Sequence, residues 1–241
     1  MKFLMTAPIL LLAFHSFAQK KDTILITAGS NRLQSHLLKN YTSSYDFFSV
    51  RDGIEKRVGE IAVNFQVFPE KNQALLVCNI KFGENVILDS GLCTLKGLSP
   101  IYHRSHQTRK SMILDFAGGN VNGKVIMKND TESKTENVNY QPSAPLFDSF
   151  YEDIIAKTLD PKTTGLFRFP EYIYERGGTV WSAGEVLKGE KPSETIVKFY
   201  ELDSKKEITR TTTYVIDINT REILKREYAM GSNKVVMKKK A

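Results

Sequence analysis

Cysteine, tryptophan and histidine are scarce in this chain: two, one and four of them in 241 residues. Cys78 and Cys93 lack the Cys-x-x-Cys spacing of dithiol redox sites, so that chemistry is removed at the outset. The histidines form no His-Glu-x-x-His motif, and there is neither a P-loop nor a Gly-rich dinucleotide loop. No internal repeat, low-complexity tract or linker divides the chain. No apolar run reaches the roughly 20 residues needed to span a bilayer as a helix. What is present is ordinary for a globular protein: 41% hydrophobic, 10% aromatic and 25% charged residues, with mean hydropathy −0.29. That balance excludes a collagen, a disordered tail and a multi-span membrane protein. The net charge is +7 and the isoelectric point about 9.2.

The first residues read as an export signal. Lys2 supplies a positive start, Phe3 to Phe14 an apolar stretch, and Ser16-Phe17-Ala18 small residues at −3 and −1 of a cleavage site. Residues 1–18 are therefore expected to be a signal peptide cleaved after Ala18, with residues 19–241 as one domain in the periplasm or secreted. Loss of Lys2 lowers the charge to +6. No cysteine follows the apolar stretch, so a lipidated mature N-terminus is not expected. Export also permits a disulfide between Cys78 and Cys93, worth about 3 kcal/mol by loop entropy; two buried free thiols in neighbouring strands are the alternative.

Period two dominates the rest. Ile61, Val63, Phe65 and Val67 alternate with Ala62, Asn64 and Gln66, and the pattern recurs at Leu76–Phe82, Met112–Phe116, Val125–Met127, Thr195–Phe199 and Tyr214–Ile218. Pro69–Asn72, Gly118–Asn120, Asn129-Asp130, Arg176–Gly178, Asp203–Lys206 and Asp217–Thr220 supply turns at hairpin spacing. Short connections imply antiparallel neighbours, hence a meander. One segment breaks the rhythm: Phe147, Phe150, Tyr151, Ile154, Ile155 and Thr158 follow helical spacing. The spacing predicts one amphipathic helix over about residues 146–159, capped by Ser143 and stopped by Asp160-Pro161, with its stripe against the concave face of the sheet.

The run Leu88-Asp89-Ser90-Gly91-Leu92-Cys93-Thr94-Leu95-Lys96-Gly97-Leu98-Ser99-Pro100 resembles the strand pair of DUF3108-like exported bacterial proteins, relatives of the lipoprotein carrier LolA and the acceptor LolB. Ser105, Leu114-Asp115-Phe116, Val121–Val125 and the closing hairpin Tyr214–Lys225 extend the likeness over roughly residues 55 to 240. The resemblance implies a mainly β fold, a curved antiparallel sheet forming a half-open barrel around the helix, with an apolar cavity. It implies no catalytic residue.

Other constellations are weaker. His103 and His106 lie three apart on a strand and so point to opposite faces; no metal site is expected, and His103, Arg104, His106, Arg109 and Lys110 read as a solvated basic face. Gly97-Leu98-Ser99-Pro100-Ile101 lacks the second glycine and the helix of a nucleophile elbow. Glu152 and Asp153 lie off the apolar stripe and read as solvated. The basic tail Lys234–Lys240 reads as a solvated terminus, and export argues against nucleic acid as a partner. The expected function is non-enzymatic: binding of a lipidic or apolar ligand, or lipoprotein, in the concave face, lined by Phe147, Phe150, Tyr151, Ile154 and Ile155. No cofactor is expected. An assembly or structural factor of the envelope with a filled core and a protein partner is the alternative, and a hydrolase the less favoured one.

Overall fold

The computed structural model describes residues 23–129, 131–162, 165–203, 205 and 207–240; the signal-peptide reading of residues 1–18 lies outside them. Sixteen strands form one curved sheet. In chain order they are β1 (Ile24–Leu25), β2 (Tyr41–Arg51), β3 (Ile54–Phe68), β4 (Gln73–Phe82), β5 (Asn85–Thr94), β6 (Pro100–Gln107), β7 (Lys110–Ala117), β8 (Asn120–Lys128), β9 (Ser133–Tyr140), β10 (Phe147–Asp148), β11 (Gly165–Ile173), β12 (Gly178–Lys188), β13 (Glu194–Leu202), β14 (Ile208–Asp217), β15 (Ile223–Met230) and β16 (Asn233–Lys239).

Two antiparallel meanders make up this sheet, β2 to β9 and β11 to β16, and they join through the pairing of β16 with β2. Hairpin turns join the strands of both meanders, as the spacing predicts, although Asp130, Ser204 and Lys206 of two of these turns lie outside the described residues. Asn72 takes the left-handed conformation (φ +51°) that ends the Pro69–Lys71 turn, and the Asp217 carboxylate accepts from the amides of Asn219 and Thr220. β1 and β10 pair parallel to the free edge of β11, at Phe167–Arg168 and Glu171–Tyr172. Pro170, which has no N–H to donate, falls in the gap between them. The opposite edge, β9, meets this side through side chains: the Tyr140 hydroxyl lies 2.7 Å from Thr179 Oγ1.

Each alternating run turns its apolar face inward over most of its length, with Phe82 and Met127 exposed near the ends of β4 and β8. Ile61, Val63, Phe65, Leu76, Cys78, Val197, Phe199, Tyr214 and Ile216 are buried in one large core shared by both meanders. A smaller core, around Met112, Leu114, Val121, Val125 and Tyr172, fills the side where β7 and β8 approach β11.

Three expectations are corrected here. The helix α1 runs only from Glu152 to Thr158 and follows a 3-10 turn over Ser149–Tyr151. Helical geometry cannot begin at 146 because Phe147-Asp148 is extended as β10, and Asp148, not Ser143, is the cap, accepting from the amide of Phe150 at 3.0 Å. Cys78 and Cys93 are free and buried. Cys78 stands opposite Asp89 and Cys93 opposite Ala74, so they are offset by four residues, roughly 13 Å along the strands, beyond the reach of a disulfide. The basic tail is β16, an interior strand with Val236 and Met237 buried. Its lysines are paired, Lys240 with Glu60 at 2.7 Å and Lys238 with Glu55 at 2.5 Å. No helix among the described residues is long and apolar enough to cross a membrane.

Candidate functional site

The apolar stripe of the helical segment lies where expected, on the concave face, but it fills the space. Phe147, Tyr151 and Ile154 are wholly buried and Ile155 is 1% exposed; Phe150 is partly buried against the same core. Burying such side chains is worth about 1.5–3 kcal/mol each. Tyr151 reaches the sheet because β5 carries Gly91 beneath it: a Cβ there would stand 2.5 Å from the Tyr151 hydroxyl and 2.7 Å from the Phe150 ring. None of the five proposed lining residues borders the clefts described below.

Polar groups gather instead on either side of this segment. On the side of β5 and β6, a cleft of about 120 Å³ is lined by Asp89, His103, Ser105, Lys110, Asp148 and Glu175 among others. β6 alternates so that His103 and Ser105 face inward while His106 is exposed, which places the two histidines on opposite faces as their spacing requires. His103 is nevertheless buried, not part of a solvated basic face. Its Nδ1 lies 3.0 Å from Asp148 Oδ2, and its ring stacks on Phe150 at 4.7 Å. Burial alone would lower the pKa of His103, but the charge of Asp148 and the bond to it outweigh burial and raise it above the ordinary 6.5. Asp89, opposite Ser105 in the register, is raised by burial. His103 Nε2 and Asp89 Oδ1 are enclosed and lack hydrogen-bond partners. The Asp148–His103 pair can hold and release a proton, but no hydroxyl or thiol is bonded to Nε2, so the nucleophile of a triad is not assembled. Among the described residues no group of three metal-ligating side chains converges.

On the side of β14 and β15, the helix carries the carboxylates that spacing alone marks as solvated. Glu152 is buried and accepts from Arg210 at 3.0 Å. Asp153 meets Arg226 Nη1 at 2.5 Å. The Tyr214 hydroxyl stands 2.9 Å from Glu152 Oε1 and 2.8 Å from Asp153 Oδ1, and its single proton serves one of them at a time. Arg210 also approaches Glu201 at 3.5 Å, which is paired in turn with Arg176. Close by, Glu171 receives the Ser182 hydroxyl proton; burial, then the neighbouring Glu152 charge, pushes its pKa up to about 8. Helical spacing placed Glu152 and Asp153 correctly off the apolar stripe. What that spacing omits is that the barrel wraps round the helix, so its polar side also faces protein. The signal available was Tyr214, Arg210 and Arg226 at inward-facing or adjoining positions of alternating strands.

Comparison with known proteins matches this architecture. No curated protein matches the chain. A solved structure, the beta-barrel-like protein of domain of unknown function DUF1849 from Brucella abortus, superposes with a TM-score of 0.57 at 8% identity, over 84% of this chain and 96% of that one. At that identity the likeness concerns the fold alone. The family described as protein of unknown function (DUF3108) matches residues 40–238, nearly the whole of the two meanders and the helix between them, and the chain belongs to that family.

Proposed function

We propose that this protein is an exported, non-enzymatic component of the bacterial cell envelope that acts by holding a protein partner, as an assembly or structural factor, with the half-barrel as a filled scaffold. The observation that carries this reading is the occupied concave face: Phe147, Tyr151, Ile154 and Ile155 take the volume that a lipid would need. The export part rests on the N-terminal pattern ending at Ala18. A second reading, an apolar ligand or lipoprotein taken up under the helix by kinship with the LolA and LolB carriers, draws support from one feature. The barrel edges at β9 and β11 meet through side chains and not through a ladder, so parting them breaks no strand pairing.

Expression of the full chain in a bacterial host, with fractionation, N-terminal sequencing and native mass spectrometry, tests both. The expected result is a periplasmic or secreted protein beginning at Gln19, free of lipid, that retains one consistent envelope protein after crosslinking. Co-purification of a stoichiometric lipid would replace the first reading with the second. A protein that keeps its N-terminus and stays in the cytoplasm would refute both.

A further inference from the structure

The C-terminal turn of α1 holds a cation without a counter-charge. Lys157 is 4% exposed, and among the described residues its polar contact is the face of the Tyr41 ring, 3.3 Å from Nζ to the centroid. The carboxylates that act on it are already engaged: Asp153 is paired with Arg226 and Glu222 with Lys239. Arg221, in the turn between β14 and β15, is half-buried and donates to neutral oxygens, Leu159 O at 3.0 Å and Gln34 Oε1 at 2.6 Å; the charge of Asp160 acts on it without forming an ion pair among the described residues. Lys157, Arg221 and the exposed Lys39 line one cleft of about 240 Å³, with Tyr41, Thr220 and Glu222.

Buried charges in proteins are ordinarily paired, because stripping water from an ammonium costs several kcal/mol unless an opposite charge replaces it. Here three cations share a cleft with one carboxylate that Lys239 already occupies. Burial pulls Lys157 down to about 8, with Asp153 and Glu222 opposing that shift and Lys239 adding to it. The positive charge is thus held at a cost.

We propose that this cleft binds a small anionic group, a carboxylate or phosphate, whose oxygens take the charge of Lys157 and Arg221 with Lys39 at the mouth. Its volume suits a headgroup or a free anion and is below the roughly 300 Å³ at which pockets begin to enclose drug-sized ligands. The inference does not depend on the function proposed above.

The full chain, Lys157→Met and Lys39→Gln are compared by calorimetric titration at constant ionic strength with sodium phosphate and with sodium acetate. Flotation with vesicles of phosphatidylglycerol or of phosphatidylcholine forms the second arm. Lys157→Met removes the charge and keeps the stem; Lys39→Gln acts at an exposed position and leaves the core untouched. Binding in at least one arm is expected, weakened at least tenfold by Lys157→Met and about threefold by Lys39→Gln. Titration with the free anions alone assigns a soluble ligand, and flotation with phosphatidylglycerol but not phosphatidylcholine assigns a lipid headgroup. No binding in either arm, or equal binding by the parent chain and both variants, overturns the proposal. If Lys157→Met does not fold, Lys39→Gln alone decides: affinity unchanged from the parent chain rejects the site.

Discussion

The helical segment faces two polar surroundings that differ in how many charges they pair. Towards β14 and β15, Glu152 and Asp153 meet Arg210, Arg226 and Tyr214, and the chain of pairs continues through Glu201 to Arg176. Towards β5 and β6 there is a single imidazole–carboxylate pair, His103 with Asp148; enclosed atoms without partners occur on both sides, His103 Nε2 and Asp89 Oδ1 here, Arg226 Nε, Glu171 Oε2 and Thr212 Oγ1 there. A buried charge network is tolerated when most of its members are satisfied, and it then fixes one arrangement of the elements it joins. The first side reads as the anchor of α1. The second, a lone pair beside a cleft, ties fewer elements together.

Breaking the anchor has the largest expected effect. Arg226→Met leaves the Asp153 carboxylate uncompensated beside the core and should cost about 3–5 kcal/mol, measured by urea unfolding. Adding Asp153→Asn should recover much of that loss; a double variant as unstable as the single one would show that Arg226 acts through its contacts with Tyr214 and Tyr228 instead. Next comes the apolar contact between the two sides. Gly91→Val drives a side chain into Tyr151 and Phe150 and should cost about 1–3 kcal/mol by overpacking. An unchanged melting temperature would mean that the segment is not held against β5.

The pH dependence of the two sides should run in the same direction, through windows set by different groups. Glu171 has a folded pKa of about 8, above its ordinary 4.5, so between these values the folded state binds the extra proton. Stability should fall as pH rises through that window. Glu171→Gln keeps an oxygen for Ser182 and removes the titration; at about 1.4 kcal/mol per pH unit it should gain about 4 kcal/mol on the parent chain at pH 9 relative to pH 5. Parallel stability curves for the two proteins would count against a neutral Glu171. The smallest effect belongs to the seam. His103 is raised above 6.5, so its pairing with Asp148 contributes fully below pH 6.5 and is lost as pH rises through the folded-state value. His103→Gln should flatten that dependence, by about 1 kcal/mol in thermal melts between pH 5.5 and 8.5, and leave the Glu171 window in place.

Much of the fold was legible because strands in a one-sided antiparallel sheet must alternate, and Phe65, Leu76, Val197 and Tyr214 announce their buried face by position alone. The helix was legible as a stripe but not in its start, since the pairing of Phe147-Asp148 with β11 competes with helix formation at a distance in sequence. The candidate sites were less visible. Phe147, Tyr151 and Ile154 carry the same periodicity whether they fill a core or line a cavity, and the choice depends on how far Gly91 lets the sheet approach. His103 is indistinguishable from its exposed neighbours Arg104 and His106 until Asp148 is brought beside it.

Local sequence, then, determined what neighbouring residues settle between themselves: the alternating strands, the hairpin turns, the single amphipathic helix and the family to which they add up. Tertiary structure decided the rest. The tail Lys234–Lys240 is an interior strand because β15 and β2 both present free edges to it. Glu152 is buried and Asp153 half-buried because the second meander closes over them. Lys157 is left unpaired because Asp153 and Glu222 find Arg226 and Lys239 first. Each of these outcomes turns on partners many residues away, and a charge is satisfied or stranded only when the whole sheet has closed around it.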